Sequence, residues 1–148
     1  MKTKAELSAS LEDYIEVIYE TIEGRSAVRP KDIAKKLKVS YASVTGALRA
    51  LSEKGMINYV PHDIITLTPE GKKAAKSVTR SHGIIKDFLV KVLGMEMTEA
   101  DNEACRLEHA MSDTVLKKFA AYLDFCEECP ECSKKWKKSK TGVTTEKR

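Results

Sequence analysis

The sequence predicts a mainly α-helical fold: an N-terminal winged helix-turn-helix with a small β-hairpin as its wing, followed by an all-α domain. Three observations carry this. Apolar residues recur at helical spacing along most of the chain up to Phe125. Two β-prone runs, Met56–Val60 and Ile64–Leu67, flank the turn residues Pro61, His62 and Asp63. The break between the second and third helical segments is only Val39-Ser40, the short turn of a helix-turn-helix pair.

The first helix is expected over Leu11–Ile22, where Leu11, Tyr14, Ile15, Ile18, Tyr19 and Ile22 share one face. Ser10 suits its N-cap and Gly24 its stop. Pro30–Leu37 is a short helix that turns Ile33, Ala34 and Leu37 inward. Ser40 then caps a helix reaching about Lys54, with Val44, Leu48 and Leu51 buried and Gly55 ending it. After the hairpin, Thr68 at the N-cap and Pro69 at the first helical position open a long helix to Leu93. It stops at Gly94, with Gly83 as its weak point. Thr98 and Glu99 open the next helix, and Ser112 caps a last one reaching Phe125. The residues after Cys132 are rich in Lys and Thr and are expected to be disordered. The domain boundaries read as 1–72 for the winged helix-turn-helix, 73–132 for the helical domain and 133–148 for a basic tail.

With 148 residues, 42% hydrophobic and 32% charged, the chain can build an ordinary globular core. No apolar run is long enough for a bilayer, so no membrane partner is expected. The opening MKTKAELSAS lacks the apolar stretch of a signal peptide. A cytoplasmic location follows as an expectation, and with it four mostly reduced cysteines. The net charge of +4 is unevenly spread: residues 25–54 carry eight basic residues against Asp32 and Glu53. A basic block between acidic ones points to a local polyanion contact.

That block holds the helix-turn-helix. The early exposed positions of its second helix are small or polar: Ser40, Ala42, Ser43, Thr45 and Gly46. Small residues allow close entry into a major groove, hydroxyls bond phosphates or base edges, and the Ala42 methyl suits a thymine methyl. Arg29, Lys31, Lys35, Lys36, Lys38 and Arg49 supply phosphate contacts, and His62 stands at the wing tip. The absence of Asn, Gln or Arg at the first recognition positions implies modest base reading, with shape and backbone carrying much of the specificity. The plain alternatives are solvated lysines on an amphipathic domain, or a protein-interaction module. The charge step together with the helix-turn-helix favours double-stranded DNA.

Residues 103–113 read EACRLEHAMSD. Cys105, Glu108 and His109 stand at i, i+3 and i+4, on one helical face, and offer a thiol, a carboxylate and an imidazole. His82 on the long preceding helix, and Asp13 with Glu16 at i, i+3 on the first, would complete a donor set. Each has a plain alternative. Ser10-x-x-Asp13 has capping-box spacing, Glu16 and His82 suit a solvated surface, and Cys105 suits a small buried site. Near the end, Cys126-x-x-Cys129-x-x-Cys132 is a candidate second metal site, for zinc or an iron–sulfur cluster, or a thiol redox switch. Its plain alternative is three uncommitted thiols at a helix end.

Four stretches, LEDYIEVIYE, KDIAKKLKVSYASVTGALRALSEKG, LTPEGKKAAKSVTRSH and EACRLEHAMSD, resemble the diphtheria-toxin-repressor family of metal-dependent transcriptional regulators, and most of all its two-domain manganese-regulator branch. The resemblance runs from about Leu11 to Phe125. It implies a homodimeric winged-helix repressor that binds palindromic operator DNA when loaded with Fe(II) or Mn(II) and controls metal-uptake genes. It implies no enzymatic activity and no small organic substrate. It maps the metal ligands onto Asp13, Glu16, His82, Cys105, Glu108 and His109, and makes the second domain a dimerisation domain. Asp13 and Glu16 match the manganese branch, whereas Cys105 matches the iron branch. The ancillary-site positions of the iron branch carry Lys86 and Asp101 instead of ligands. A thiolate moves preference from Mn(II) toward Fe(II), and two carboxylates pull it back; the balance leans to Fe(II). The rival expectation is a metal-independent winged-helix thiol redox sensor that uses the C-terminal cysteines.

Overall fold

The structure is a computed structural model that describes residues 7–24, 28–60, 64–131 and 134. The chain forms two compact units, Met1–Thr79 and Arg80–Arg148.

In the first unit, α1 spans Ala9–Gly24. Its cap is Ser8, not Ser10: the Ser8 hydroxyl accepts from the Leu11 N–H at 3.4 Å, and its carbonyl from the Glu12 N–H at 3.0 Å. Both serines qualify by type, but a start at Ser8 also brings Leu7 against the core. α2 spans Pro30–Leu37, with Pro30 in the first turn, where its missing N–H costs nothing. The Asp32 carboxylate accepts from the Arg29 N–H at 3.3 Å, and Lys38 closes the helix in the left-handed region at φ 56°. α3 spans Tyr41–Glu53, capped by Ser40, whose hydroxyl accepts from the Ser43 N–H at 3.1 Å. Val44, Leu48 and Leu51 are fully buried at the predicted spacing. They join Ile15, Ile18, Val28, Ile33 and Ile65 in one core, each contributing about 1.5–3 kcal/mol.

β1 (Ile57–Asn58) pairs antiparallel with β2 (Thr66–Leu67), Ile57 opposite Leu67 and Asn58 opposite Thr66. Val28 forms an isolated bridge with Ile65, an addition too short to leave a periodic signal in the sequence. The wing tip Pro61-His62-Asp63 lies outside the described residues. The start of α4 (Pro69–Asp87) is tied to the chain just before β1. The Thr68 hydroxyl donates to the Gly55 carbonyl at 2.7 Å and accepts from the Gly71 N–H at 3.0 Å. Gly71 packs so closely that a Cβ there would lie 1.7 Å from the Met56 carbonyl oxygen.

α4 is regular through Gly83, contrary to the weak point expected there. The irregularity falls at Phe88–Val92, where the helix widens to a π turn before Gly94, at φ 73°, ends it. Phe88, the first residue of that turn, stacks on Phe119 with ring centroids 4.2 Å apart. α5 spans Met97–Glu108. Its cap is Glu96, one position earlier than a Thr98 start requires: the carboxylate accepts from the Thr98 N–H at 2.8 Å and the Glu99 N–H at 3.2 Å. Those bonds, Glu99 foremost, hold the Glu96 carboxyl below its ordinary pKa. α6, capped by Ser112, spans Asp113–Glu128, three residues past the expected end at Phe125. Ile85, Leu89, Ala100, Ala104 and Leu116 form the core of this unit. Leu116 and Leu123 on α6 are buried, while Val115, Tyr122 and Phe125 stay exposed. The residues after Lys134 lie outside the described set, as does the expected disorder of the tail.

Candidate metal centre

The last turn of α5 carries Cys105 and Glu108, and His109 is its C-cap. His109 keeps helical dihedrals (φ −78°, ψ −19°), so the i, i+3, i+4 spacing holds although the helix ends at Glu108. One donor atom each from Cys105, Glu108 and His109 lie within 4.8 Å of one another. The Glu108 side chain is only 1% exposed. Its Oε2 lies 2.8 Å from His82 Nδ1. Its Oε1 lies 3.4 Å from His109 Nε2, yet accepts no hydrogen bond. A buried oxygen left without a donor costs about 1–3 kcal/mol, and more when it carries charge.

His82 sits in α4 with both ring nitrogens engaged. Nδ1 meets Glu108, and Nε2 meets Asp101 Oδ1 at 3.1 Å. The Lys86 ammonium donates to the same Asp101 oxygen at 2.6 Å. Lys86, then His82, hold the Asp101 carboxyl below the usual carboxylate range. The positions read from sequence as a lost ancillary site thus form an ion pair that touches His82. The charges at 86 and 101 were legible in the sequence; their meeting required the fold.

This unit places a thiol and one imidazole with a deeply buried carboxylate, and sets a second imidazole, His82, against that carboxylate's other oxygen. That donor set suits a divalent first-row transition ion. The other two sequence-predicted ligands, Asp13 and Glu16, belong to the first unit, one turn apart on α1. Glu16 is buried and Asp13 half-buried. With Ser8 as the cap, Asp13 falls in the second turn and is not the acid of a capping box.

The C-terminal cysteines depart from expectation. Cys126 on α6 is a thiol, whereas Cys129, at the helix C-cap, is in a disulfide; Cys132 lies outside the described residues. The expectation of reduced thiols came from the compartment, which sets redox poise but says nothing of which sulfurs the chain brings together. The candidate second site at Cys126, Cys129 and Cys132 therefore lies partly outside the described residues. Local desolvation, then neighbouring Cys126, push the phenol of the exposed Tyr122 up.

On the nucleic-acid side, Ser40, Ala42, Ser43 and Gly46 are exposed at the start of α3, and Arg29 and Arg49 are exposed as well. Thr45 is half-buried, and its hydroxyl donates to the Tyr41 carbonyl at 3.0 Å. Ser40 is occupied as the helix cap and meets Ser43 Oγ at 2.8 Å. Lys36 pairs with Glu20. His62 is outside the described residues. Sequence reading passed over Tyr41, which is 60% exposed on the first residue of α3; an aromatic just after a helix cap was the available signal.

Two family models match the chain. One, described as iron dependent repressor, N-terminal DNA binding domain, covers residues 6–63. The other, described as iron dependent repressor, metal binding and dimerisation domain, covers residues 68–137. An uncharacterised HTH-type transcriptional regulator of Methanocaldococcus jannaschii is 39% identical over 80% of this chain and 95% of its own length. The HTH-type transcriptional regulator MntR of Lysinibacillus sphaericus is 33% identical over 89% of this chain and 94% of its own. The diphtheria toxin repressor of Corynebacterium glutamicum is 30% identical over 84% of this chain but only 55% of its own length. Among solved structures, a manganese-dependent transcriptional repressor in complex with manganese aligns with TM-score 0.72 and 34% identity, covering 78% of this chain and 53% of that one. The metal-dependent transcriptional regulator MtsR aligns with TM-score 0.73 and 30% identity, over 80% and 55%. The chain spans about half the length of these two structures and of the corynebacterial repressor.

Proposed function

Since the chain belongs to the iron-dependent repressor family of metal-dependent transcriptional regulators, none of them enzymes, we propose that it is a homodimeric repressor that binds palindromic operator DNA when loaded with Fe(II) or Mn(II) and controls metal-uptake genes. The carrying observation is Glu108: a carboxylate buried to 1%, with one oxygen lacking any donor, flanked by His82, His109 and Cys105. The ligands are Asp13, Glu16, His82, Cys105, Glu108 and His109. A bound divalent cation would supply the positive charge that the buried Glu108 carboxylate lacks.

The residues do the rest. Glu108, His82, His109 and Cys105 present donors from the Arg80–Arg148 unit. Asp13 and Glu16 present theirs from α1, in the unit that carries the recognition helix α3. Metal binding would favour the state in which two copies of α3 meet successive major grooves. Ser40, Ala42, Ser43, Thr45, Gly46 and Tyr41 form the base-facing surface, and Arg29 and Arg49 its flanks; His62, also expected to contact DNA, lies outside the described residues. Since Ser40, Ser43 and Thr45 also bond within α3, specificity leans on shape and backbone contacts. The Cys105 thiolate tips metal preference toward Fe(II). For the test, an operator is first selected from a random duplex pool. The chain is then titrated onto it anaerobically with Mn(II) or Fe(II). Glu108→Ala and His109→Ala are each expected to stay folded and to lose the metal dependence. Metal-stimulated binding that persists in both variants would reject the assignment.

A further inference from the structure

A histidine that ligates a cation is a neutral ring: one nitrogen keeps a proton and the other presents a lone pair. The groups around the ring set which is which. The two carboxylates of the Arg80–Arg148 unit that hydrogen-bond to His82 are not equivalent. Glu108, at Nδ1, is 1% exposed and holds an oxygen with no hydrogen-bond donor. Asp101, at Nε2, is 51% exposed, and its Oδ1 already accepts from the Lys86 ammonium at 2.6 Å. The Glu108 side therefore has coordination capacity to offer a cation, while the Asp101 side has a cation of its own.

We infer that Asp101, pinned by Lys86, is a positioning residue: it holds the His82 proton on Nε2 and so leaves Nδ1 to ligate the divalent cation beside Glu108. The inference rests on the metal-centre assignment proposed above and extends it to two residues that touch no metal. Lys86 has a defined part in it. The ammonium anchors the carboxylate on one oxygen, so that Asp101 faces His82 Nε2 and its charge is matched without a second ion. A carboxylate behind a ligating histidine fixes the ring and raises its basicity, and loss of such a partner typically lowers metal affinity about 10–100-fold.

The test uses the full chain with nitrogen-labelled histidine and Cd(II) as a diamagnetic, spin-active probe. Scalar coupling reports which ring nitrogen binds the metal, and Mn(II) affinity is measured alongside by titration. In the parent protein, coupling is expected at His82 Nδ1, with a proton retained on Nε2. Asp101→Ala, at a half-exposed position, is expected to fold, to lose the single-tautomer signature at His82, and to bind Mn(II) about 10–100-fold more weakly. Lys86→Ala is expected to shift both readouts the same way by less. Coupling through Nε2, or an Asp101→Ala protein with unchanged tautomer and affinity, overturns the inference while leaving His82 a ligand. Absence of any cadmium coupling at His82, together with unchanged affinity in His82→Ala, overturns the metal-centre assignment itself.

Discussion

Gly71→Ala isolates one contact in the frame of the DNA-binding unit. An added Cβ would lie 1.7 Å from the Met56 carbonyl oxygen, 2.7 Å from its carbon and 3.2 Å from its Cα. Both partners are backbone, so no side chain can swing away, and relief needs a shift of about 1.5 Å toward ordinary contact distance. That carbonyl accepts from the Thr68 N–H at 3.0 Å, and the shift breaks that bond. One bond at about 0.5–1.5 kcal/mol, and overpacking at about 1–3 kcal/mol, oppose a helix-propensity gain of about 1 kcal/mol. The net expectation is a loss of about 2 kcal/mol. The control is Gly83→Ala in the same helix, where nothing lies within 4 Å of the new Cβ; a gain of about 0.5–1 kcal/mol is expected there. Urea unfolding of both variants and the parent measures this. A Gly71→Ala protein as stable as the parent, beside a stabilised Gly83→Ala, would refute the close-approach argument.

Cys105→Glu replaces a thiolate by a harder donor and should raise activation by Mn(II) relative to Fe(II); paired anaerobic operator titrations give the ratio, and an unchanged ratio removes Cys105 from the ligands. Asp13→Ala should abolish metal-stimulated DNA binding and keep the dimer in sedimentation, with no helix cap lost because Ser8 caps α1; a dimer with full metal activation rejects its role. Glu96 has a folded pKa below its unfolded one, so its contribution is complete above the ordinary carboxylate pKa and is lost as pH falls through the folded value. Glu96→Gln should therefore melt with a shallower acid limb than the parent, and identical acid limbs would count against the cap. Replacing Cys126, Cys129 and Cys132 together by Ser should leave metal-dependent operator binding intact; its loss would revive a thiol-sensing function.

The elements readable from sequence were those with a repeated signal. Val44, Leu48 and Leu51 declare α3 by spacing, and Thr68-Pro69 declares the start of α4 by chemistry. What escaped depended on single contacts between distant segments. The choice of Ser8 over Ser10 turns on where Leu7 packs, and the Val28–Ile65 bridge is one residue long on each side. The π turn at Phe88–Val92 coincides with the Phe88–Phe119 stack and not with the glycine that propensity singles out. In the candidate site, helical spacing sufficed to group Cys105, Glu108 and His109. It could not show that Glu108 is the buried member, or that Lys86 and Asp101 close on the far side of His82.

Glu108 sets two kinds of selection against each other. In the metal-free chain it is a buried carboxylate with an unsatisfied oxygen, the sort of group whose replacement by a neutral residue of similar size often stabilises a fold. A variant library screened only for heat resistance in chelator would be expected to discard Glu108 early and to return sturdier proteins that no longer respond to metal. The same library grown through alternating rounds of metal plenty and metal starvation would keep it, because only a residue that burdens one state and is relieved in the other lets the surroundings decide which state is populated.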